Sequence, residues 1–138
     1  RSGQPYGMTV SSFTSVSFRP PLILVCIDRR AGFALDVTDE LTFAVNVLRE
    51  DQENVAVRFS TPPEEGRFDS FAWMPGLNGV PLLKGIVASL TCSLERVVEA
   101  GDHLIFIGCV QDIRLHGGSS LVWCQSNYHC LPPPVERI

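Results

Sequence analysis

Ile86-Val87-Ala88-Ser89-Leu90-Thr91-Cys92-Ser93-Leu94-Glu95-Arg96-Val97-Val98 decides the architecture. Ile86, Ala88, Leu90, Cys92 and Leu94 alternate with Ser89, Thr91, Ser93 and Glu95, a repeat of two residues. Side chains of a strand point to opposite faces in turn, so this run predicts a strand with one buried and one wet face. Glu99-Ala100-Gly101-Asp102-His103 follows as a Gly-Asp turn of hairpin length. Leu104–Ile113 begins apolar on both faces, as a strand covered on both sides does.

Working outward, Met8–Phe13, Leu22–Asp28, Thr42–Leu48 and Leu121–Gln125 also read as strands, and Pro20-Pro21 keeps the approach to the second of these extended. One helix is expected at about Asp51–Phe59, with Glu50 and Asp51 at its positive end and Arg58 at its C-terminal end. Thr61–Arg67, with Pro62-Pro63 and Gly66, and Met74–Pro81, with Gly76 and Gly79, read as surface loops. Pro132-Pro133-Pro134 marks the end of the packed domain or a stiff strap onto a neighbour. Many short strands and a single helix predict a closed or nearly closed antiparallel barrel.

A chain of 138 residues suits one domain. Its 45% hydrophobic and 19% charged content fits a compact core rather than disorder. A net charge of −4 gives no general attraction to nucleic acid or acidic membranes, so a phosphate-bearing ligand needs a local site. Leu22–Ile27 and Leu104–Ile107, the longest apolar runs, are too short to cross a bilayer, and no signal peptide opens the sequence. Cys26, Cys92, Cys109, Cys124 and Cys130 form no CxxC pair and are odd in number, which predicts unpaired thiols and a reducing, cytoplasmic setting. Cys124, His129 and Cys130 lack a fourth ligand at zinc spacing, so no metal site is expected, and His116 has no motif around it.

Gly7-Met8-Thr9-Val10-Ser11-Ser12-Phe13-Thr14-Ser15-Val16-Ser17 places six hydroxyl side chains in eleven positions. Each buried hydroxyl needs a partner, so the run is either a row of donors for a phosphate or ring carbonyl, or an exposed edge strand. No catalytic triad or paired-carboxylate motif stands anywhere in the chain.

Gly7–Ser17, followed by Pro20-Pro21-Leu22-Ile23-Leu24-Val25-Cys26-Ile27-Asp28, resembles the signature of the flavin reductase-like, FMN-binding split-barrel family. Phe43-Ala44-Val45-Asn46-Val47-Leu48, Gly79-Val80-Pro81-Leu82-Leu83, and Gly101-Asp102-His103 with Gly108 and Val110 follow in family order. The match runs from about Gly3 to Leu131 and implies a single flavin reductase-like domain over 1–138, mainly β, an antiparallel Greek-key split barrel with one or two short helices. Family members usually begin with a helix and a first barrel strand, whereas this sequence opens at the end of that hairpin.

The resemblance implies an NAD(P)H:flavin oxidoreductase, moving hydride from NADH or NADPH to FMN or FAD and supplying reduced flavin to a separate monooxygenase component. An FMN-binding electron-transfer protein without direct use of NAD(P)H is the alternative, and a barrel that has lost flavin a third reading. Hydride transfer is done by positioning, so no catalytic acid or base is implied. By resemblance, Thr9, Val10, Ser11, Ser12, Phe13 and Thr14 lie along the flavin ring and ribityl chain. Asp28, Arg29 and Arg30 stand where the superfamily places a phosphate-binding cation, and an arginine fork suits a phosphate. Gly101, Asp102, His103 and Tyr128 fall on the nicotinamide side, although Ser126-Asn127 precedes Tyr128 where the family has a glycine and a basic residue. A homodimer is implied as well. Trp73 and Trp123 read as core or interface residues rather than flavin-stacking plates.

Overall fold

The computed structural model describes residues 4–35, 37–62 and 66–136. Residues 1–3, within the opening of the chain, and 63–65, within the loop expected at Thr61–Arg67, lie outside them. Its frame is an antiparallel sheet built from β1 (Thr14–Phe18), β2 (Pro21–Asp28), β3 (Thr42–Val47), β6 (Ala88–Ala100) and β7 (His103–Leu115). The strands lie in the order β1-β2-β7-β6-β3, so the hairpins β1–β2 and β6–β7 sit side by side and β3 crosses to the far edge. Among the described residues, β1 and β3 are the outer strands of the sheet.

The period-two stretch forms the long hairpin it predicts, closed by Ala100 opposite His103, with Gly101 at φ 62° in the turn. Along β2 the buried side chains are Ile23, Val25 and Ile27. They pack with Phe106 of β7, Phe43 of β3 and Cys92 of β6. A buried aromatic or aliphatic side chain of this kind contributes about 1.5–3 kcal/mol. Gly108 lies where a Cβ would come within 2.7 Å of Phe43 and 2.9 Å of Cys92, so it lets β3 and β6 side chains close over β7.

The helix α2 (Glu53–Ser60) appears where Asp51–Phe59 was expected, starting two residues later. Arg49 pairs with Asp51, and its amide bonds the Gln52 side chain at 2.8 Å, which holds 49–52 as a turn. Val55, Ala56 and Phe59 make its buried face, and Val55 and Phe59 cluster with Phe68 of a 3-10 turn at Arg67–Ser70. A four-residue helix, α1 (Gly32–Leu35), follows β2.

Four local expectations need correction. The strand predicted at Met8–Phe13 forms instead at Thr14–Phe18, because the Thr9 and Ser12 hydroxyls bond backbone elsewhere and take 8–13 out of the ladder. Ser89 and Thr91 are buried rather than wet: Asp112 and Arg114 stand directly across on β7, with Ala44 and Asn46 on β3. The loop Met74–Pro81 is a small hairpin of β4 (Trp73–Pro75) and β5 (Pro81–Leu83), which Asn46 pins from β3 through Nδ2 to the Pro81 carbonyl at 3.2 Å and from the Leu83 amide at 2.9 Å. Gln125 does not end a strand but turns, with Ser126, at positive φ between β8 (Leu121–Cys124) and β9 (Asn127–Cys130). Two such residues in succession suit the twist of a two-residue hairpin.

Candidate functional site

Among the described residues the segment 7–13 has no strand partner, and it is held mainly by side chains. Gly7 fits against Phe68 and Phe59, where a Cβ would meet the Phe68 ring at 3.0 Å. Arg67, only 5% exposed, donates to the Gly7 carbonyl and, at 2.9 Å, to the Thr61 carbonyl. Its guanidinium also lies 4.7 Å from the centre of the Phe59 ring, within cation–π range. Thr9 donates twice to α2, from its amide to the Phe59 carbonyl at 3.0 Å and from its hydroxyl to the Ala56 carbonyl at 2.7 Å. At the far end, the Ser12 hydroxyl bonds both the amide and the carbonyl of Cys26 on β2.

Beside this segment opens a cavity of about 1080 Å³. Thr9, Val10, Ser11 and Phe13 form one wall, and Tyr128 and Trp123 another. Its remaining surface is largely apolar, including Tyr6, Phe33, Trp73 and Val80. Tyr6 meets Phe33 edge-on at 5.0 Å, and Trp123 is tilted against Tyr128 at 4.7 Å. Such a concave apolar site with few polar groups is the usual form of a ring-binding pocket.

A second constellation lies at the end of the β2–β7 pairing, where Asp28 is opposite His103. Asp28 takes the Arg30 guanidinium in a two-point pair and the Arg30 amide at 2.8 Å. Arg29 crosses to the other turn: its amide bonds the Asp102 carbonyl at 3.1 Å, its Nε the Gly101 carbonyl at 2.8 Å, and its guanidinium reaches Glu99 at 3.4 Å. His103 Nδ1 lies 2.8 Å from the Asp102 carboxylate. The Arg30 pair holds the Asp28 carboxyl well below the usual carboxylate range, and His103 does the same, less strongly, for Asp102.

The sequence-predicted residues thus fall into two neighbourhoods. Asp28, Arg29 and Arg30 come together with Gly101, Asp102 and His103, although they were expected on opposite sides of the reaction. Thr9, Val10, Ser11, Phe13 and Tyr128 line the cavity, while Ser12, Thr14 and His103 do not. Sequence reading missed Arg67, whose setting in a Pro/Gly loop looks like that of any solvated arginine. It also missed Tyr6 as a lining residue.

The mainly β frame thus carries a hydroxyl-bearing segment beside an aromatic cavity and, at the end of the β2–β7 pairing, an arginine-bearing turn. The family profile described as "Flavin reductase like domain" matches residues 1–132, and the chain belongs to that family. It is 46% identical over 109 residues to the NADH-dependent FAD reductase of Streptomyces globisporus, covering 76% of this chain and 60% of the relative. It is 38% identical over 127 residues to the stachydrine N-demethylase reductase subunit of Rhizobium meliloti, covering 92% and 55%. The chain therefore spans little more than half the length of these curated relatives. Among solved structures, the Streptomyces globisporus NADH:FAD oxidoreductase in complex with NAD and FAD fragments superposes with a TM-score of 0.89 at 36% identity, covering 95% of this chain and 80% of that one. The flavin reductase component of a bacterial two-component tryptophan halogenase gives a TM-score of 0.83 at 36% identity, covering 92% and 82%.

Proposed function

We propose that this chain is an NAD(P)H-dependent flavin reductase, one domain over 1–138, that moves hydride from NADH or NADPH to FMN or FAD. The observation that carries this reading is the near-complete superposition on an oxidoreductase solved with NAD and FAD fragments. The residues present fit a flavin. Aromatic walls suit a flat ring, Val10 and Ser11 line the cavity beside it, and Arg29 and Arg30, on the turn after β2, carry guanidinium groups of the kind that hold a phosphate. When bound, the flavin supplies the hydride-accepting ring; the protein supplies place and charge. Thr9, Val10, Ser11 and Phe13 orient the ring and ribityl chain with Ser12 and Thr14 behind them, the 28–30 turn holds a phosphate, and Gly101, Asp102 and His103, with Tyr128, serve the nicotinamide.

Three finer readings accompany this one. The sheet belongs to a split barrel that works as a homodimer, because Ile113 and Leu115 at the end of β7 are 56% and 80% exposed and offer an apolar surface to a second copy. A separate monooxygenase component takes the reduced flavin, as the naming of relatives as reductase components suggests. Five free cysteines suit a reducing cytoplasm. The deciding experiment follows NADH and NADPH absorbance with FMN, FAD or riboflavin added. Turnover with at least one pair is expected; flavin binding without turnover favours the electron-transfer reading, and no flavin binding removes both. Light scattering across micromolar concentrations tests the dimer.

A further inference from the structure

The register of β1 against β2 pairs Thr14 with Leu24. Continued by two residues along each strand, the same ladder would set residue 12 against Cys26. An antiparallel pair in that position exchanges two backbone hydrogen bonds. Here both are made by one side chain: the Cys26 amide donates to the Ser12 hydroxyl at 2.9 Å, and that hydroxyl donates to the Cys26 carbonyl at 3.1 Å. The Ser12 backbone is thereby displaced from the ladder. Among the described residues, no hydrogen bond uses the amides of Val10, Ser11 or Ser12. Val10 and Ser11 line the cavity.

We propose that Ser12 is a positioning residue, whose hydroxyl satisfies Cys26 in place of its own backbone and so keeps the two amides that an extended ladder would spend on β2, those of Val10, which lines the cavity, and of Ser12, which adjoins it, available to acceptor atoms of the flavin ring. The proposal rests on the flavin reductase reading. A strand at this place would spend alternate amides on β2, as backbone donors are rarely left unpaired where a partner is near. A serine is short enough to bond both groups of Cys26 from outside the ladder, the local competition with strand pairing that short hydroxyl side chains offer. An alanine at 12 removes that alternative and lets the backbone zip onward from Thr14.

The test uses amide hydrogen exchange and flavin binding on the same samples. In the wild type, the amide of Ser12 exchanges quickly without flavin and slows when FMN or riboflavin is added. In Ser12→Ala the amide of residue 12 becomes protected without ligand, and the dissociation constants for FMN and riboflavin both rise by about tenfold. Ser12→Thr keeps a hydroxyl and restores binding, which a role in stability alone does not predict. Should Ser12→Ala fail to fold, the wild-type exchange pattern and the Ser12→Thr variant still decide the matter. A Ser12 amide already protected in the flavin-free wild type overturns the proposal, as does a folded Ser12→Ala that binds both flavins normally. A wild type that binds no flavin removes the functional reading and this proposal together, a result distinct from either of those.

Discussion

Asp28 grips Arg30 through two contacts, Nε to Oδ1 at 3.1 Å and Nη2 to Oδ2 at 2.9 Å. A carboxylate here occupies the fork that a phosphate would take. Any phosphate on Arg30 therefore competes with Asp28, and the Arg30 side chain is 91% exposed, so water screens the contact. Arg30→Ala is expected to weaken FMN binding by only about tenfold and to leave riboflavin, which lacks the phosphate, unaffected. Asp28→Asn should tighten FMN binding without changing riboflavin. Fluorescence quenching titrations measure both, and equal losses for FMN and riboflavin in Arg30→Ala would rule out the phosphate role.

The same pair sets a pH dependence. The Asp28 carboxyl is depressed by its hydrogen bonds from Arg30, so its contribution to stability is complete above the ordinary carboxylate range. It is lost as pH falls through that range and below, because protonation breaks a pair the unfolded chain does not have. Wild type should exceed Asp28→Asn in Tm at neutral pH, and the gap should close on acidification. A gap that widens towards low pH would contradict the assignment.

His103 faces Asp102 through Nδ1, which leaves Nε2 as the ring atom free to meet a ligand. His103→Ala is expected to leave the flavin dissociation constant nearly unchanged while raising KM for the nicotinamide or lowering kcat/KM. Asp102→Asn should give a milder version of the same split. Joint loss of flavin and nicotinamide use would assign His103 to the fold of the turn instead.

Two glycines of the same hairpin should respond differently to alanine. Gly108→Ala drives a methyl into Phe43 and Cys92 and is expected to cost about 1–3 kcal/mol through overpacking. Gly101→Ala meets nothing within 4 Å but sits at φ 62°, so its cost is about 1–2 kcal/mol of backbone strain. Trimming Phe43 to Leu should rescue the first and not the second, as denaturant unfolding would reveal.

Arg67→Ala removes the donor to Gly7 and Thr61 and the cation over Phe59, and should destabilise by about 3 kcal/mol. Arg67→Lys should recover only part, since a compact ammonium cannot span both carbonyls as the planar fork does. Thermal unfolding of the two variants is the measurement.

The long hairpin was legible because alternation, turn chemistry and length agreed between Ile86 and Ile113. Val55, Ala56 and Phe59 likewise gave α2 a face. The opening segment was misread because Ser and Thr are good strand residues by shape. What removed 8–13 from the sheet was where Thr9 and Ser12 found partners, at Ala56 and Cys26, and no local pattern encodes contacts across such separations. The wet face assigned to Ser89 and Thr91 failed for a related reason, since burial there depends on Asp112 and Arg114 across the hairpin. The site residues were found through family motifs, but the meeting of 28–30 with 101–103 depends on β2–β7 register.

Arg29 ties the first of those turns to the second through its amide and its guanidinium, which joins them in one lip. On the proposed assignment flavin and nicotinamide both touch that joined edge, so a ligand that shifts it changes the affinity for the other. By thermodynamic linkage, whatever factor flavin imposes on nicotinamide affinity, nicotinamide imposes on flavin. Cutting that tether with Arg29→Ala should bring the reciprocal factor towards one, turning a cooperative pair of guests into two strangers.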